Sequence, residues 1–202
     1  MSEVKGKNTI VKDAIILFII TLIAGVALAF VHDITAEPIA KANAEAKAKA
    51  YQTVFADAAS FEEDADVASK VEANKEKYDG AIVDEVLCAV DAGGNKIGYV
   101  MSLTATEGYG GNISLSLGVA ADGTITGFEI LAASETAGLG AKCKEPEFKS
   151  QFAGIKAAQI EYTKTGKSAD NQIDALSGAT ITTSAVTKAV NAGLNFFAEC
   201  GN

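Results

Sequence analysis

The sequence has no arginine and only one histidine among its 202 residues. Without a planar guanidinium group, the chain cannot form a bidentate arginine clamp on a phosphate, so a phosphate must be held by lysine, by backbone amides or by a covalent bond. The single histidine, His32, follows a long apolar run, which leaves the rest of the chain without the usual general base. We therefore expect no catalytic residue of the Ser-His-Asp or Cys-His kind and no independent hydrolase activity.

Cysteine is also scarce. Cys88, Cys143 and Cys200 lie far apart, and the sequence contains neither a Cys-x-x-Cys pair nor a Cys/His cluster. Zinc or iron–sulfur ligation within the chain is therefore not expected, and no metal site is predicted. Each cysteine is expected to be a small buried apolar residue.

Positive charge is in deficit along the chain. The sequence has 17 lysines against 26 acidic residues and a formal net charge of −9. The part from residue 33 onward keeps 14 of these lysines and 24 of these acidic residues, which is a balance of −10. Such a surface repels nucleic acid and anionic lipid, so no nucleic-acid partner is expected.

One long apolar run without charge extends from Ala14 to Val31. Its length is near the roughly 20 residues that cross a bilayer. A cleaved signal peptide is the alternative, but its apolar region usually has only about 7 to 15 residues. Lys5, Lys7 and Lys12 precede the run, and acidic residues follow it, so the positive-inside rule puts the N-terminus in the cytoplasm. The sequence predicts a single-pass anchor in the lipid bilayer of the cell membrane, with an extracytoplasmic C-terminal domain.

After the apolar run, the sequence pattern predicts an α+β fold with an antiparallel sheet and helices. Residues 37–59 are rich in alanine, lysine and glutamate, which favours a helical stalk, and residues 61–79 are expected to be irregular or briefly helical. Strands are predicted at 82–91, 96–106, 113–119, 124–132 and 159–164, and helices at 144–151 and 183–200. The predicted divisions are a tail and transmembrane anchor (1–32), a stalk and connection (33–80) and a C-terminal domain (81–202).

The segment from Asp174 to Thr180 reads Asp-Ala-Leu-Ser-Gly-Ala-Thr and is followed by Ile-Thr-Thr-Ser at the start of the last predicted helix. Unpaired backbone N–H groups and the positive end of the helix dipole favour an anion at such a position. Gly178 and Ala179 leave the approach to the Thr180 hydroxyl free of bulk. The local alternative is that the hydroxyl residues at 182–184 only cap the helix.

This segment resembles the flavinylation motif of the FMN-binding domain family, which occurs in the G subunit of the Rnf complex and in the C subunit of the sodium-pumping NADH:quinone reductase. The resemblance implies FMN joined covalently through its phosphate to the last threonine of the motif, Thr180. It also implies maturation by an ApbE-type flavin transferase. The motif residues in this chain are Asp174, Ser177, Gly178, Ala179 and Thr180. Two roles for Asp174, capping the turn and recognition by the transferase, both stay open.

Two further segments match the family. Gly108-Tyr-Gly-Gly111 lies between two predicted strands, where glycine lets a flat ligand approach the backbone, although an ordinary glycine-rich connection has the same composition. Residues 134–140 resemble the family's Glu-Thr-Pro-Gly-Leu-Gly loop, with Ala137 in place of the proline. The resemblance implies that its Glu-Thr pair binds polar groups of the flavin and that Leu139 covers one face of the ring.

Two lysines, Lys142 and Lys188, are the nearest to these motifs in sequence. Each is either solvated or able to neutralise the phosphodiester of an attached FMN. The expected cofactor-binding residues are Gly108, Tyr109, Gly110, Gly111, Glu135, Thr136, Gly138, Leu139, Gly140, Lys142, Ser177, Gly178 and Ala179.

The resemblance implies a membrane-anchored flavoprotein that transfers electrons within an Rnf-type ion-translocating ferredoxin:NAD⁺ oxidoreductase, together with the other subunits of that complex. A flavin carries its own redox chemistry, so the protein would supply binding and placement rather than acid–base groups. Three alternatives stay open: the C subunit of the sodium-translocating NADH:quinone reductase, a free-standing extracytoplasmic flavinylated protein, and a binding module with an unmodified Thr180.

Overall fold

The computed structural model describes residues 4–74 and 77–200. A single helix, α1, runs from Val4 to Val54, so the apolar run and most of the predicted stalk form one element. The chain divides into two compact units, Met1–Glu45 and Ala46–Asn202. The domain boundaries predicted from the sequence stay predictions.

The first unit is helical from Val4 onward and contains the apolar run. Within the described residues, α1 is the one helix long and apolar enough to cross a membrane. Its large apolar side chains are exposed along the run, including Leu28 at 71% and Phe30 at 66%. A continuous apolar surface of this kind is unfavourable in water and is expected to face lipid.

The second unit is built on a five-stranded antiparallel sheet in which every strand pairs with its neighbours in sequence, in the order β1 to β5. Its strands are β1 (Ser60–Glu62), β2 (Ala81–Val90), β3 (Lys96–Ala105), β4 (Ile113–Ala120) and β5 (Ile125–Ala132). The connections from β2 to β5 are short, as antiparallel neighbours allow, whereas a helix lies between β1 and β2. The predicted α+β class is confirmed.

Helices and a small second sheet complete this unit. They are α2 (Ala65–Asn74), a 3₁₀ helix (Gly140–Lys144), α3 (Pro146–Lys149), the parallel strands β6 (Glu161–Thr163) and β7 (Gln172–Asp174), and α4 (Thr180–Cys200). Helix α4 packs on β2, β3 and β4. Val186, Val190 and Leu194, which recur at helical spacing, are buried at that contact.

Several element bounds differ from those expected. The last helix begins at Thr180 rather than at residue 183, because the Thr183 N–H donates to the Ala179 carbonyl at 3.0 Å. Of the helix expected at 144–151, only α3 at Pro146–Lys149 is formed, since Glu145 is extended, as is usual before a proline, and Lys144 ends the preceding 3₁₀ helix. Strands β1 and β7 were not expected, because three residues are too few to show alternation.

The end of α1 lies on the face of the sheet opposite α4. Val54 is only 1% exposed, and its carbonyl accepts a hydrogen bond from the Thr126 hydroxyl at 2.6 Å. A Cβ atom at Gly118 would lie 2.6 Å from the Val54 carbonyl oxygen, and one at Gly127 would lie 2.6 Å from the Val54 Cα. These glycines on β4 and β5 therefore allow the helix backbone to contact the sheet directly.

Candidate functional site

A cleft of about 470 Å³ lies where the glycine loop at 108–111, the loop at 134–140 and the start of α4 meet. Its volume is within the range of small-molecule sites, about 300 to 1,000 Å³. It is lined by Tyr109, Glu135, Thr136, Leu139, Gly140, Gly178, Ala179, Thr180, Ile181 and Thr182. The structure thus brings together the three segments that were singled out in the sequence.

Exposed apolar side chains surround the cleft. Tyr109 is 70% exposed, Ile181 is 55% exposed and Leu139 is 44% exposed. Large apolar side chains clustered at the surface of a concave site mark a place where a ligand or partner binds. Ile181 was not predicted as a site residue. On a helical projection it lies opposite the buried Val186 and Val190, and an apolar residue on the exposed side of a helix could have indicated a binding surface.

The Glu135 carboxylate joins all three segments. Its Oε1 accepts the Gly110 N–H at 3.0 Å, and its Oε2 accepts the Thr182 hydroxyl at 2.6 Å. The sequence had assigned this carboxylate to polar groups of a ligand. In the structure, protein donors contact both of its oxygens.

Two of the three glycines of loop 108–111 are packed closely against protein backbone. A Cβ atom at Gly108 would lie 2.2 Å from the Gly111 carbonyl oxygen, and one at Gly110 would lie 2.1 Å from the Ser134 carbonyl oxygen. These two positions therefore pack against protein backbone rather than against an approaching ligand. Tyr109 is the residue of this loop that lines the cleft.

The hydroxyl groups at the start of α4 have different environments. Thr182 and Thr183 are buried, and the Thr183 hydroxyl donates to the Ala179 carbonyl at 3.0 Å. Thr180 is half-buried and lines the cleft, and no described residue hydrogen-bonds to its hydroxyl. Ser184 lines a separate surface pocket. Of these four residues, Thr180 alone presents an unbonded hydroxyl to the cleft.

The N-terminus of α4 opens onto the same cleft. Thr183 is the first residue whose N–H bonds back along the helix, so the preceding amides of the first turn have no intrahelical partner. Gly178, with φ +73°, makes the turn that leads into the helix. None of the described residues that line the cleft is a lysine, so the helix amides are the groups available to an anion there.

The structure does not bring the two candidate lysines to the cleft. Lys142 is exposed in the 3₁₀ helix and does not line the cleft. The Lys188 ammonium lies 2.8 Å from the Glu107 carboxylate and 3.4 Å from the Asp79 carboxylate. The hydrogen bond to Glu107 raises the pKa of Lys188. The ammonium group of Lys188 is therefore already paired with acidic side chains at another surface.

The earlier part of the predicted flavinylation motif is exposed. Ser177 of this motif is exposed and does not line the cleft. Gly138 and Gly111, which were expected at the site from the other two segments, do not line it either. The Asp174 N–H donates to Gln151 Oε1 at 2.6 Å, but no described group donates to the Asp174 carboxylate. Because this carboxylate makes no hydrogen bond with the described residues, capping of the turn by Asp174 is not observed.

The cysteines are all unpaired. Cys143 is fully buried in the 3₁₀ helix beside the cleft, and burial raises the pKa of its thiol. Cys88 is also buried, as expected, whereas Cys200 is half-buried at the end of α4.

Comparisons with known proteins show which family the chain resembles. A family model described as "FMN-binding domain" matches residues 108–195, and one described as "RnfG N-terminal region" matches residues 1–54. The G subunit of the Na⁺-translocating ferredoxin:NAD⁺ oxidoreductase complex of Acetobacterium woodii is 36% identical over 94% of this chain and 92% of that protein. The proton-translocating counterpart of Clostridium ljungdahlii is 33% identical over 94% of this chain and 92% of that protein.

Among solved structures, NqrC from Shewanella oneidensis has a TM-score of 0.48 and 24% identity to this chain. The match spans 56% of this chain and 59% of that one.

Proposed function

The chain belongs to the family of G subunits of Rnf-type ion-translocating oxidoreductase complexes, and we propose that it is the FMN-carrying, membrane-anchored electron-transfer subunit of such a complex. The other subunits of the complex are its proposed partners. Three relatives that align over more than 90% of both chains are named as G subunits, which favours this assignment over the C subunit of the NADH:quinone reductase. One of these relatives is named for sodium and another for protons, so no coupling ion is assigned.

One observation carries the proposal. The Thr180 hydroxyl, which no described residue hydrogen-bonds, lies in a cleft that has an apolar rim and opens at a helix N-terminus. The residues present fit FMN. Leu139, Ile181 and Tyr109 offer apolar surface to the isoalloxazine ring, and the first amides of α4 offer hydrogen bonds to the phosphate. When bound, FMN supplies electron transfer, and the chain holds the cofactor and limits its access to water.

We propose that the FMN is linked covalently to Thr180. An ApbE-type flavin transferase, using FAD and a divalent cation, would be the maturation partner. Thr180 Oγ forms a bond to the phosphorus on the FMN side of the FAD pyrophosphate, AMP leaves with the bridging oxygen, and the hydroxyl proton is released. The lack of arginine and of a cleft lysine makes a covalent bond a useful means of retaining the phosphate.

Replacement of Thr180 tests this linkage. Thr180→Val keeps the side-chain shape but removes the nucleophilic oxygen, and Ser184→Ala removes a nearby hydroxyl outside the cleft as the matched control. After co-expression with the transferase, we expect the mass increase of one FMN in wild type and Ser184→Ala and no increase in Thr180→Val. Flavin fluorescence from denatured Thr180→Val protein would refute the assignment.

We further propose a cytoplasmic N-terminus and an extracytoplasmic FMN domain. The lysines before the apolar run and the acidic residues after it support this orientation. A membrane-impermeant thiol reagent applied to intact cells should label Glu63→Cys and should not label Lys5→Cys, in a background with Cys200 replaced by serine. The opposite labelling pattern would show the reverse orientation.

A further inference from the structure

Glu135 contributes the one charged side chain among the described residues that line the cleft, and both of its oxygens are bonded to protein groups. We propose that Glu135 is a positioning residue that sets the shape of the cleft before FMN arrives, by holding the loop at 108–111 and the start of α4 at a set separation. This inference rests on the proposed function, because it concerns the shape that accepts the flavin.

The first arm of the bridge holds the glycine loop. Within that loop, the backbone makes one weak bond of its own, from the Gly111 N–H to the Gly108 carbonyl at 3.3 Å. The Gly110 N–H instead donates to Glu135 Oε1 at 3.0 Å. Because Tyr109 is the neighbouring residue and lines the cleft, this bond holds the backbone from which the Tyr109 side chain extends.

The second arm holds the start of α4. A threonine inside a helix often donates to the carbonyl four residues earlier. Thr183 and Thr187 do so, at 3.0 Å and 2.8 Å. Thr182 instead donates to Glu135 Oε2 at 2.6 Å, although it is only 1% exposed. Thr182 is two residues after Thr180 in the first turn of α4. This bond therefore holds the backbone that carries Thr180 next to the loops at 108–111 and 134–140.

The carboxylate has little room to move. A Cβ atom at Gly140 would lie 2.4 Å from Glu135 Oε2, and one at Gly108 would lie 2.9 Å from Oε1. Glycine at these two positions leaves space for the bridge. Hydrogen bonds to an ionised carboxylate are also stronger than those between neutral groups.

Glutamine separates the bridging role from the role of the charge. In Glu135→Gln, the amide oxygen accepts from the Gly110 N–H and the amide nitrogen donates to the Thr182 hydroxyl, which is also an acceptor. Glu135→Ala loses both arms. A positioning role therefore predicts that glutamine restores what alanine removes.

Amide hydrogen exchange on the full chain without flavin, in detergent micelles, tests the bridge independently of any cofactor. The exposed Gly110 amide should exchange about tenfold faster or more in Glu135→Ala, because a hydrogen bond to a charged group is lost. In Glu135→Gln, its exchange should stay within about threefold of wild type. Equal protection of Gly110 in Glu135→Ala and wild type would overturn the proposal.

The initial rate of FMN attachment by the flavin transferase tests the consequence. We expect attachment to Glu135→Ala to be about tenfold slower than to wild type, with recovery in Glu135→Gln. Thr182→Val removes one arm with little change of shape and should also slow attachment, whereas Thr182→Ser keeps the hydroxyl and should not. This pair decides the question if Glu135→Ala does not fold.

The possible failures are distinguishable. Wild-type protein that accepts no FMN would contradict the proposed function, and the exchange experiment would still decide whether Glu135 forms the bridge. Normal attachment to wild type together with an equal rate for Glu135→Ala would overturn the positioning role alone. Glu135→Gln as slow as Glu135→Ala, with both variants folded, would show that the charge matters rather than the bridge.

Discussion

Removal of residues 1–80 should unfold the remaining chain, whereas removal of residues 1–45 should leave it folded. The compact second unit begins at Ala46 and contains the last turns of α1, strand β1 and helix α2. A fragment that starts at residue 81 keeps every segment that lines the cleft but loses part of the core beneath the sheet. The prediction therefore separates the residues that form the site from the residues that make it stable.

The expected loss of folding free energy follows from five buried side chains that fragment 81–202 lacks. They are Tyr51, Val54, Phe55, Val67 and Val71, each no more than 8% exposed. Full burial of one large apolar side chain contributes about 1.5 to 3 kcal/mol, so their combined loss is about 8 to 15 kcal/mol. The total free energy of unfolding of a domain is about 5 to 15 kcal/mol. The fragment 81–202 should therefore have no stable folded state.

Circular dichroism and urea titration of purified fragments 46–202, 56–202 and 81–202 provide the measurement. Fragment 46–202 should unfold in one cooperative transition. Fragment 56–202 loses the end of α1 and the residue that follows it, and with them the buried side chains of Tyr51, Val54 and Phe55, so it should be less stable than 46–202 by about 5 to 9 kcal/mol. A cooperative transition of 81–202 at the same urea midpoint as 46–202 would refute this account of the core.

Three further predictions concern single residues. Gly140→Ala places a Cβ atom 2.4 Å from Glu135 Oε2 and should lower the free energy of unfolding, measured in urea, by about 1 to 3 kcal/mol; an unchanged midpoint would contradict the close packing. The backbone hydrogen bond from Thr124 lowers the pKa of Asp122 from 3.8 to about 2. The ionised Asp122 carboxylate therefore stabilises the folded state above about pH 4, and this stabilisation is lost as the pH falls towards 2. Asp122→Asn should flatten the stability profile in that window, and NMR titration of the carboxyl should find a midpoint well below 3.8. The buried Cys143 thiol, whose pKa is raised by burial, should stay unmodified by iodoacetamide in the folded chain and react only after unfolding.

Local patterns in the sequence were enough for the fold class and for naming Thr180 as the proposed acceptor. The apolar run, the alternating strands and the helical spacing near the C-terminus are signals that neighbouring residues carry by themselves. The motif that ends at Thr180 is likewise contiguous, so its resemblance to the FMN-binding family was visible before any contact was known. The same local information did not reveal that the last helix begins at Thr180 itself, because that depends on one backbone hydrogen bond.

The tertiary structure decided which side chains are free and which are already engaged. Glu135 meets donors 25 and 47 residues away in sequence, and Lys188 meets Glu107 across 81 residues. Sequence proximity had made Lys188 a candidate for the phosphate, and the resemblance of the loop at 134–140 to the family's loop had made Glu135 a candidate for the flavin edge. Such long-range pairings arise only when the sheet and α4 pack together, because no local pattern specifies the partner of a polar group. The sequence therefore predicted the kind of site from local motifs, and packing determined which of its polar groups are already hydrogen-bonded or ion-paired.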